Sequence, residues 1–446
     1  MKRILLIGVG RWGINHLRVL KSMPVELFIA DHHEQRLNSV DIPQSHRSTD
    51  ARSLFSKVDA AVVVTPAPAH FETCSELLEM GKDVFVEKPI TLASSEAKKL
   101  TELAEKAGLI LQVGHIFRFD PASLWMRDAI VEHQFGRLKM LQARFSGFKR
   151  PRQHTGVTFA DSIHFIDLFN FLLGVPPRRV HAVLGDFFGR GMDDESLIVL
   201  EYYQGNGSPI LATIEAGYHT PGKFREVTIM GTRSSAVCDY NVAQYKIRTF
   251  ANQHVADGEA IKAEEGAVHQ LEFPPEEPLR AELAAFIDAI EKRGSRPVDA
   301  WAGFHAVRVV EAALESARTG NWITIDNLNE HRRRVAARYA ERLCGIVKTP
   351  PEKKWAYAVY HMYVIQTERR DELVRHLQSK GIGTGIHYPV ANHQQPAIAK
   401  IYGDLPRLPN TEAAVKEILS LPIYGELPLE DVDYVSDAIV EFFAMQ

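Results

Sequence analysis

Short apolar runs and helical stretches alternate through the first 120 residues of the chain. RILLIGV (3–9), VELFIAD (25–31), DAAVVVT (59–65), DVFVEKP (83–89) and LILQVGH (109–115) are mostly apolar and rich in Val, Ile and Leu. Such runs suit strands of a parallel sheet buried on both faces. Between them the spacing predicts helices, most clearly over 94–107. There Leu100, Leu103, Ala104 and Ala107 recur on a helical period, with Ser94 as N-cap and Gly108 as the stop. This alternation predicts a doubly wound α/β domain over residues 1–119.

From about Asp120 the pattern changes. After one helix come LKMLQARFSG, RVHAVLGD, SLIVLEYY, PILATIEAGY, FREVTIMGT and YKIRTF, separated by Gly, Pro, Asn and Ser. Successive strands without intervening helices predict an open antiparallel sheet, hence an α+β domain over 120–325. Residues 251–278, acidic and Pro-bearing, read as a long loop. Helices over 279–292 and 300–319 follow, the second stopped at Gly320, and then the strand NWITI. After Asp326 the chain restarts with the basic helix NEHRRRVAARYAERL and the aromatic strand region KWAYAVYHMYVIQT. The helix RRDELVRHLQSKG, the turn GIGTGIHYP and the amphipathic helix VDYVSDAIVEFF complete a third, α+β domain over 326–446.

The length of 446 residues accommodates three domains. With 52 basic against 56 acidic residues and a net charge of -4, nothing marks a nucleic-acid partner. No apolar run reaches the ~18 residues of a membrane span. Cys74, Cys238 and Cys344 lie far apart, without metal-ligand spacing. They predict a reducing, cytoplasmic compartment, with no disulfide framework and no metal. MKRILLIGVG has the outline of a weak signal peptide, but Arg11 and Trp12 interrupt it and no small-residue cleavage site follows. A buried strand running into a glycine turn accounts for it better.

Gly8-Val9-Gly10-Arg11-Trp12-Gly13 is a G-x-G-x-x-G placed between a strand and a helix. The first glycine permits the tight turn, the second lets the backbone approach a pyrophosphate, and the third allows close helix–strand packing. The second strand ends in Asp31, whose carboxylate can accept from adenine-ribose hydroxyls and would repel a 2′-phosphate. NAD is therefore expected over NADP, with His32, His33 and Arg36 close enough to blur the preference. DVFVEKP sets Glu87, Lys88 and Pro89 at the carboxyl end of a later strand, where ligands of open α/β sheets bind. A lysine there can polarise an alcohol or ketone oxygen and stabilise an alkoxide; from spacing alone it is equally a surface Lys–Pro at a strand end.

The glycine fingerprint, TPAPAH (65–70), EKP (87–89) and GHIFRFDP (114–121), in that order, resemble the Gfo/Idh/MocA dehydrogenases. The resemblance runs through PLRAELAAFIDAI and VVEAALESARTGNWITI, so it covers about residues 1–325. It implies a Rossmann domain followed by an antiparallel-sheet domain that carries the substrate and the oligomer interface of a homodimer or homotetramer. It also implies that Lys88 stands at the reaction centre, that Thr65, Pro66 and His70 line the nicotinamide side, and that Arg118 is the arginine after the fifth strand.

Residues 161–173 (DSIHFIDLFNFLL) read as an almost wholly apolar helix ended by Gly174. Asp161, His164 and Asp167 fall three apart, so neighbours share a face. By pattern, His164 is satisfied by one of the two aspartates; by resemblance it is the family's active-site histidine. The family's acidic residue four before that histidine is Ala160 here, with Asp161 one position later. That step is a rotation of about 100° on a helix, which leaves the role of Asp161 open. The expected chemistry is oxidation of a secondary alcohol, with His164 as base and Lys88 stabilising the alkoxide, or Lys88 as base if its pKa is depressed. The basic segment 149–154 (KRPRQH), with Arg152 and His154, is a candidate to meet a substrate phosphate or carboxylate, or is a solvated loop. Tyr218, His219 and Lys223 are similarly placed.

Past residue 326, GIHYP (385–389) and LSLPIY (419–424) resemble the C-terminal part of the DegT/StrS-type sugar aminotransferases, as the small domain of a fold-type I enzyme. The large domain with its pyridoxal phosphate lysine has no counterpart, so no pyridoxal phosphate and no independent transamination are expected, and His387 and Tyr388 match half of a site. Those aminotransferases act on keto-sugars. The pairing implies a sugar substrate, a nucleotide sugar or sugar phosphate oxidised at C3 for amino-sugar synthesis, and a partner aminotransferase. A dinucleotide-binding regulatory or accessory subunit is the alternative.

Overall fold

The structure, a computed structural model, describes the chain except residues 204–208, 259, 294–299, 326–327, 354–355, 357, 404, 406, 426 and 445–446, and the side chains of 328–330 and 399. It forms two compact units, Met1–Ile325 and Asp326–Gln446.

The first unit begins with β1 (Lys2–Ile7), α1 (Gly13–Leu20), β2 (Val25–Ala30), α2 (Glu34–Asn38), β3 (Arg47–Ser48), β4 (Ala60–Val63), α3 (His70–Glu79), β5 (Asp83–Glu87), α4 (Ser94–Ala107) and β6 (Leu111–Gly114). The strands make one parallel sheet in the order β3-β2-β1-β4-β5-β6. Side chains alternate across it: Leu5 and Ile7 enter one core, Ile4 and Leu6 another. Each fully buried side chain of this kind contributes about 1.5–3 kcal/mol, which is why the runs are apolar on both faces. Gly108 ends α4 in the left-handed region at φ 65°. Ser94 does not cap the helix. The cap position is Ala93, and the Ser94 N–H donates instead to the Glu311 carboxylate at 2.8 Å.

Then come α5 (Pro121–Val131), β7 (Leu138–Ser146), a π-helical turn (Thr158–Ser162), α6 (Ile163–Leu173), β8 (Arg179–Gly185), β9 (Glu195–Tyr202), β10 (Ile210–Gly217), β11 (Glu226–Gly231), β12 (Ser235–Asp239), β13 (Ile247–Phe250), β14 (Gln253–Asp257), β15 (Ala260–Glu264) and β16 (Val268–Leu271). The nine-stranded sheet runs β16-β13-β12-β11-β7-β10-β9-β8-β17, where β17 is Ile323–Thr324. Its neighbours are antiparallel except β7 and β10, which run parallel from Met140↔Leu211 to Ser146↔Gly217. The stretch 251–278 is not one long loop. It holds the β14–β15 hairpin and the edge strand β16, nearly all exposed, so no buried face imposes a period-2 pattern on the sequence.

Two helices close the unit, α7 (Pro278–Lys292) and α8 (Ala300–Thr319), and both return to the dinucleotide sheet. Leu283 and Phe286 of α7 join the core of Ile4, Leu6 and Phe85. On α8, Gly303 lies so near β6 that a Cβ there would stand 2.8 Å from a Val113 methyl.

The second unit holds α9 (Leu328–Arg342), β18 (Tyr363–Gln366), α10 (Arg370–Ser379), α11 (Pro396–Tyr402), α12 (Pro409–Glu417), β19 (Ile418–Leu421) and α13 (Leu429–Ala444). β18 and β19 pair antiparallel, and Tyr339, Tyr363, Leu373, Leu419 and Ile439 belong to its own core. Of the aromatic region 354–367 only 363–366 is strand; 354–355 and 357 lie outside the described residues. Among the described residues no helix is long and apolar enough to cross a membrane.

Candidate active site

The glycine turn is built for a close approach. Gly8 has φ 96°, and a Cβ there would meet the Val64 carbonyl oxygen at 2.7 Å; one on Gly13 would meet the Gly8 carbonyl oxygen at 1.9 Å. Around Gly10 the nearest group to such a Cβ is Arg36 Nη1 at 3.7 Å, so the space beside it is open. Asp31 ends β2 with its carboxylate accepting from the N–H groups of Val9 and His33, both at 2.9 Å, and from Arg36 Nη1 at 3.2 Å. Burial pushes its pKa up, but these donors prevail and hold it below the usual carboxylate range. Turn and carboxylate together fit the pyrophosphate and ribose of a dinucleotide. Arg11 and Trp12 are exposed beside the turn.

Glu87 faces the start of α1. Its carboxylate accepts from the Trp12 indole at 2.6 Å and lies 3.1 Å from His16 Nε2. Burial raises its pKa, but those two partners outweigh it and keep the group ionised. His70 is likewise internal: Nδ1 lies 2.7 Å from the Pro89 carbonyl oxygen and Nε2 2.9 Å from that of Thr65. Burial lowers its pKa, so the neutral ring donates to one of the two and clips the end of β4 to the turn after Lys88. Beside it the buried Thr65 hydroxyl has no protein partner among the described residues, and Pro66 follows on the same loop.

Lys88 reaches across to the π-helical turn, where its Nζ donates to the Ala160 carbonyl. Burial draws its pKa down to about 8, against the opposing pull of Asp161. Asp161 itself is paired with Lys149 at 2.7 Å. Asp167 is held by Arg118 through two bonds of 2.8 and 2.6 Å, from Nε and Nη2, which anchor that guanidinium to α6. His164 therefore has neither aspartate as a partner. Its ring stacks on Phe145 at 5.3 Å and meets Phe117 edge-on, with Nδ1 buried and unpartnered among the described residues. Burial, then the charge of Lys88, keeps the imidazole neutral, its pKa well below the ordinary value. The buried Tyr218 hydroxyl also has no partner at hydrogen-bond geometry among the described residues.

Arg152 and His154 are exposed; His154 borders a cavity of 520 Å³ shared with Phe159, Met192 and Asp193. His219 Nε2 lies 3.3 Å from Asp194. Lys223 backbone bridges Gly147. Sequence reasoning passed over Phe145, His115 and Arg225. His115 is buried 3.6 Å from Asp167, with its pKa drawn down to about 4 by burial. Arg225 lies 3.5 Å from the Phe145 ring centroid. No local motif marks Phe145 or Arg225, and His115 lies inside GHIFRFDP without a spacing that singles it out.

A dinucleotide sheet that presents a lysine toward a buried histidine on a second domain, its Nδ1 without a hydrogen-bond partner among the described residues, suits an oxidoreductase. Residues 2–115 match the oxidoreductase family with NAD-binding Rossmann fold, and 127–325 match that family's C-terminal α/β domain. The chain belongs to the Gfo/Idh/MocA oxidoreductase family, and residues 312–440 match the DegT/DnrJ/EryC1/StrS aminotransferase family. It is 35% identical over 170 residues to a pleiotropic regulatory protein of Geobacillus stearothermophilus, across 36% of this chain and 45% of that one. It is 27% identical to scyllo-inositol 2-dehydrogenase (NAD(+)) of Bacillus subtilis, across 73% and 96%. To UDP-N-acetylglucosamine 3-dehydrogenase of Acidithiobacillus ferrooxidans it is 33% identical, across 40% and 56%. Superposition on the solved structure of that dehydrogenase gives a TM-score of 0.60 at 23% identity, across 71% and 98%, a likeness of fold. The matched stretch thus spans about half the length of two of these relatives.

Proposed function

We propose that the chain is an NAD-dependent dehydrogenase that oxidises a secondary hydroxyl of a sugar derivative, a nucleotide sugar or sugar phosphate with C3 as the carbon, to a keto-sugar. The observation that carries this is Lys88, with a depressed pKa and its Nζ bonded to the turn that leads into α6, beside the neutral His164, whose buried Nδ1 has no hydrogen-bond partner among the described residues. When bound, the nicotinamide supplies the two-electron acceptor. The turn at Gly8 and Gly10 would hold the pyrophosphate of the dinucleotide, Gly13 lets α1 pack against that turn, and Asp31 would hold the ribose.

His164 was expected as base, but its burial makes it a poor one; Lys88 is better matched to a pH near neutrality. In this reading unprotonated Lys88 takes the hydroxyl proton at Nζ while its N–H bond to Ala160 keeps the lone pair aimed. His164 hydrogen-bonds the same oxygen and orients the carbon, and Asp161 tunes Lys88 through its charge. The NAD preference rests on Asp31, with Arg36 paired to it.

The test is a screen of sugar phosphates and nucleotide sugars with NAD and NADP, read as reduced-nucleotide absorbance. Turnover by the chain and none by Lys88→Met is expected; no oxidation, and no ketone reduction in reverse, would defeat the proposal.

Assembly as a homodimer or homotetramer is supported by Val183 and Leu197, cross-strand neighbours exposed on the open face of the large sheet. A second reading, an accessory subunit for a sugar aminotransferase, is favoured by the second unit, where Tyr388, Ile401 and Tyr402 are each over two-thirds exposed at 68%, 69% and 69%. Copurification of an aminotransferase with the whole chain but not with residues 1–325 is the result that reading requires.

A further inference from the structure

The end of the large sheet beside His164 carries more positive charge than the proposed chemistry uses. β7 and β10 are parallel and β11 is antiparallel to β7, so Phe145, Tyr218 and Arg225 come to the same end. Phe145 is the floor: His164 stacks on it, the Arg225 guanidinium lies 3.5 Å from its centroid and Lys149 Nζ 4.7 Å. Lys149 is also 5.3 Å from the Tyr218 ring. Arg225 Nη1 donates to the carbonyls of Phe224 and Ser146, while Nε and Nη2 have no acceptor among the described residues. Neither Arg225 nor Arg152 has a carboxylate at ion-pair distance among those residues. Lys88, Lys149 and Arg225 all feel the charge of Asp161, which is already bonded to Lys149; Lys88 also feels Glu87, and the Arg152 charge bears on both lysines.

A half-buried guanidinium such as Arg225 is costly without a counter-charge, and its two free, co-planar donor positions match the paired oxygens of an oxyanion. We propose that Arg225, with Lys149 and Arg152, forms a subsite for an oxyanion carried by the substrate, a carboxylate or a phosphate ester, next to the hydroxyl being oxidised. The site selects anionic sugars over their neutral parents. Arg225 makes the bidentate contact, Lys149 trades part of its bond to Asp161 for the anion, and Arg152 closes the pocket from the solvent side. The proposal rests on the dehydrogenase reading for its sugar, but not for its anion.

Two measurements separate these. Calorimetric titration of the full chain with NAD present compares glucose, glucuronate and glucose 6-phosphate, for the wild type, Arg225→Met and Arg225→Lys. Glucuronate or glucose 6-phosphate should bind the wild type at least roughly 30-fold tighter than glucose, the loss on truncating one partner of a charged pair. Arg225→Met should abolish that difference and Arg225→Lys restore part of it, with unchanged thermal midpoints. Whichever anion shows the effect identifies the group. Equal binding of all three sugars, no binding of any, or no effect of Arg225→Met overturns the subsite. Turnover of the same panel is the second measurement. Arg225-dependent anion binding without turnover of any sugar would sink the dehydrogenase reading and leave the anion site standing.

Discussion

Lys88 Nζ and the Ala160 carbonyl are hydrogen-bonded across the two domains of the first unit. The bond joins the end of a dinucleotide-sheet strand to a π-helical turn, a widened turn often found at functional sites. It leaves the amine one lone pair to offer when unprotonated. Lys88→Met should lower kcat roughly a thousandfold with little change in NAD affinity. Wild-type oxidation should rise with pH through about 8, where Lys88 loses its proton, and the reverse reduction should fall over the same range. Initial rates in both directions across pH check the sign; a profile flat between neutrality and that value would count against Lys88 as base.

His164→Asn keeps a hydrogen-bonding group but loses the ring that stacks on Phe145. A drop in kcat of roughly tenfold to a hundredfold is expected, with the inflection near pH 8 unmoved, since the native imidazole is already neutral there. Steady-state kinetics of the variant over the same pH series decide this.

At the other end of the cofactor, Asp31→Ala removes the carboxylate and releases Arg36 from its ion pair. NAD should bind roughly tenfold more weakly, and NADP relatively better, because a freed guanidinium can meet a 2′-phosphate. Parallel titrations with the two nucleotides measure the change in their ratio.

Glu87 titrates below its ordinary value in the folded state. The stability it contributes is therefore present above its unfolded pKa of about 4.3 and is lost as pH falls through the lowered native pKa. Glu87→Gln should cost about 1–3 kcal/mol near neutrality, where His16 and Trp12 lose a charged partner, and much less in acid. Urea unfolding monitored in both pH ranges tests that convergence.

Deleting residues 327–446 should leave a folded dehydrogenase, because both cores of the first unit are built from residues up to Ile325. Turnover per site should stay within about twofold. A truncated chain that unfolds or loses turnover would show that the second unit does more than attach.

The parallel sheet was legible because burial on both faces leaves an uninterrupted apolar signature, and the glycine turn because its spacing has a steric cause that the Gly8 and Gly13 approaches make plain. Edge strands such as β14 and β15 left no trace, since exposed residues are free to be charged. Lys88 and His164 could be picked out as residues, but their electrostatics could not. Asp161 and Asp167 flank His164 in sequence, and it took the fold to bring Lys149 and Arg118 to them. Arg225 sits at a strand start with no motif around it; what singles it out is Phe145, far away in sequence.

The return of α7 to the first sheet has a consequence for synthesis. Ile4, Leu6 and Phe85 have one face waiting for Leu283 and Phe286, which leave the ribosome only after the entire nine-stranded region except its last edge strand. At about 5–20 residues per second, roughly 10–30 s separate the completion of the sheet from the arrival of its cover. During that interval the nascent chain carries a row of sticky side chains, so its yield in a cell depends on whatever shields them until α7 arrives.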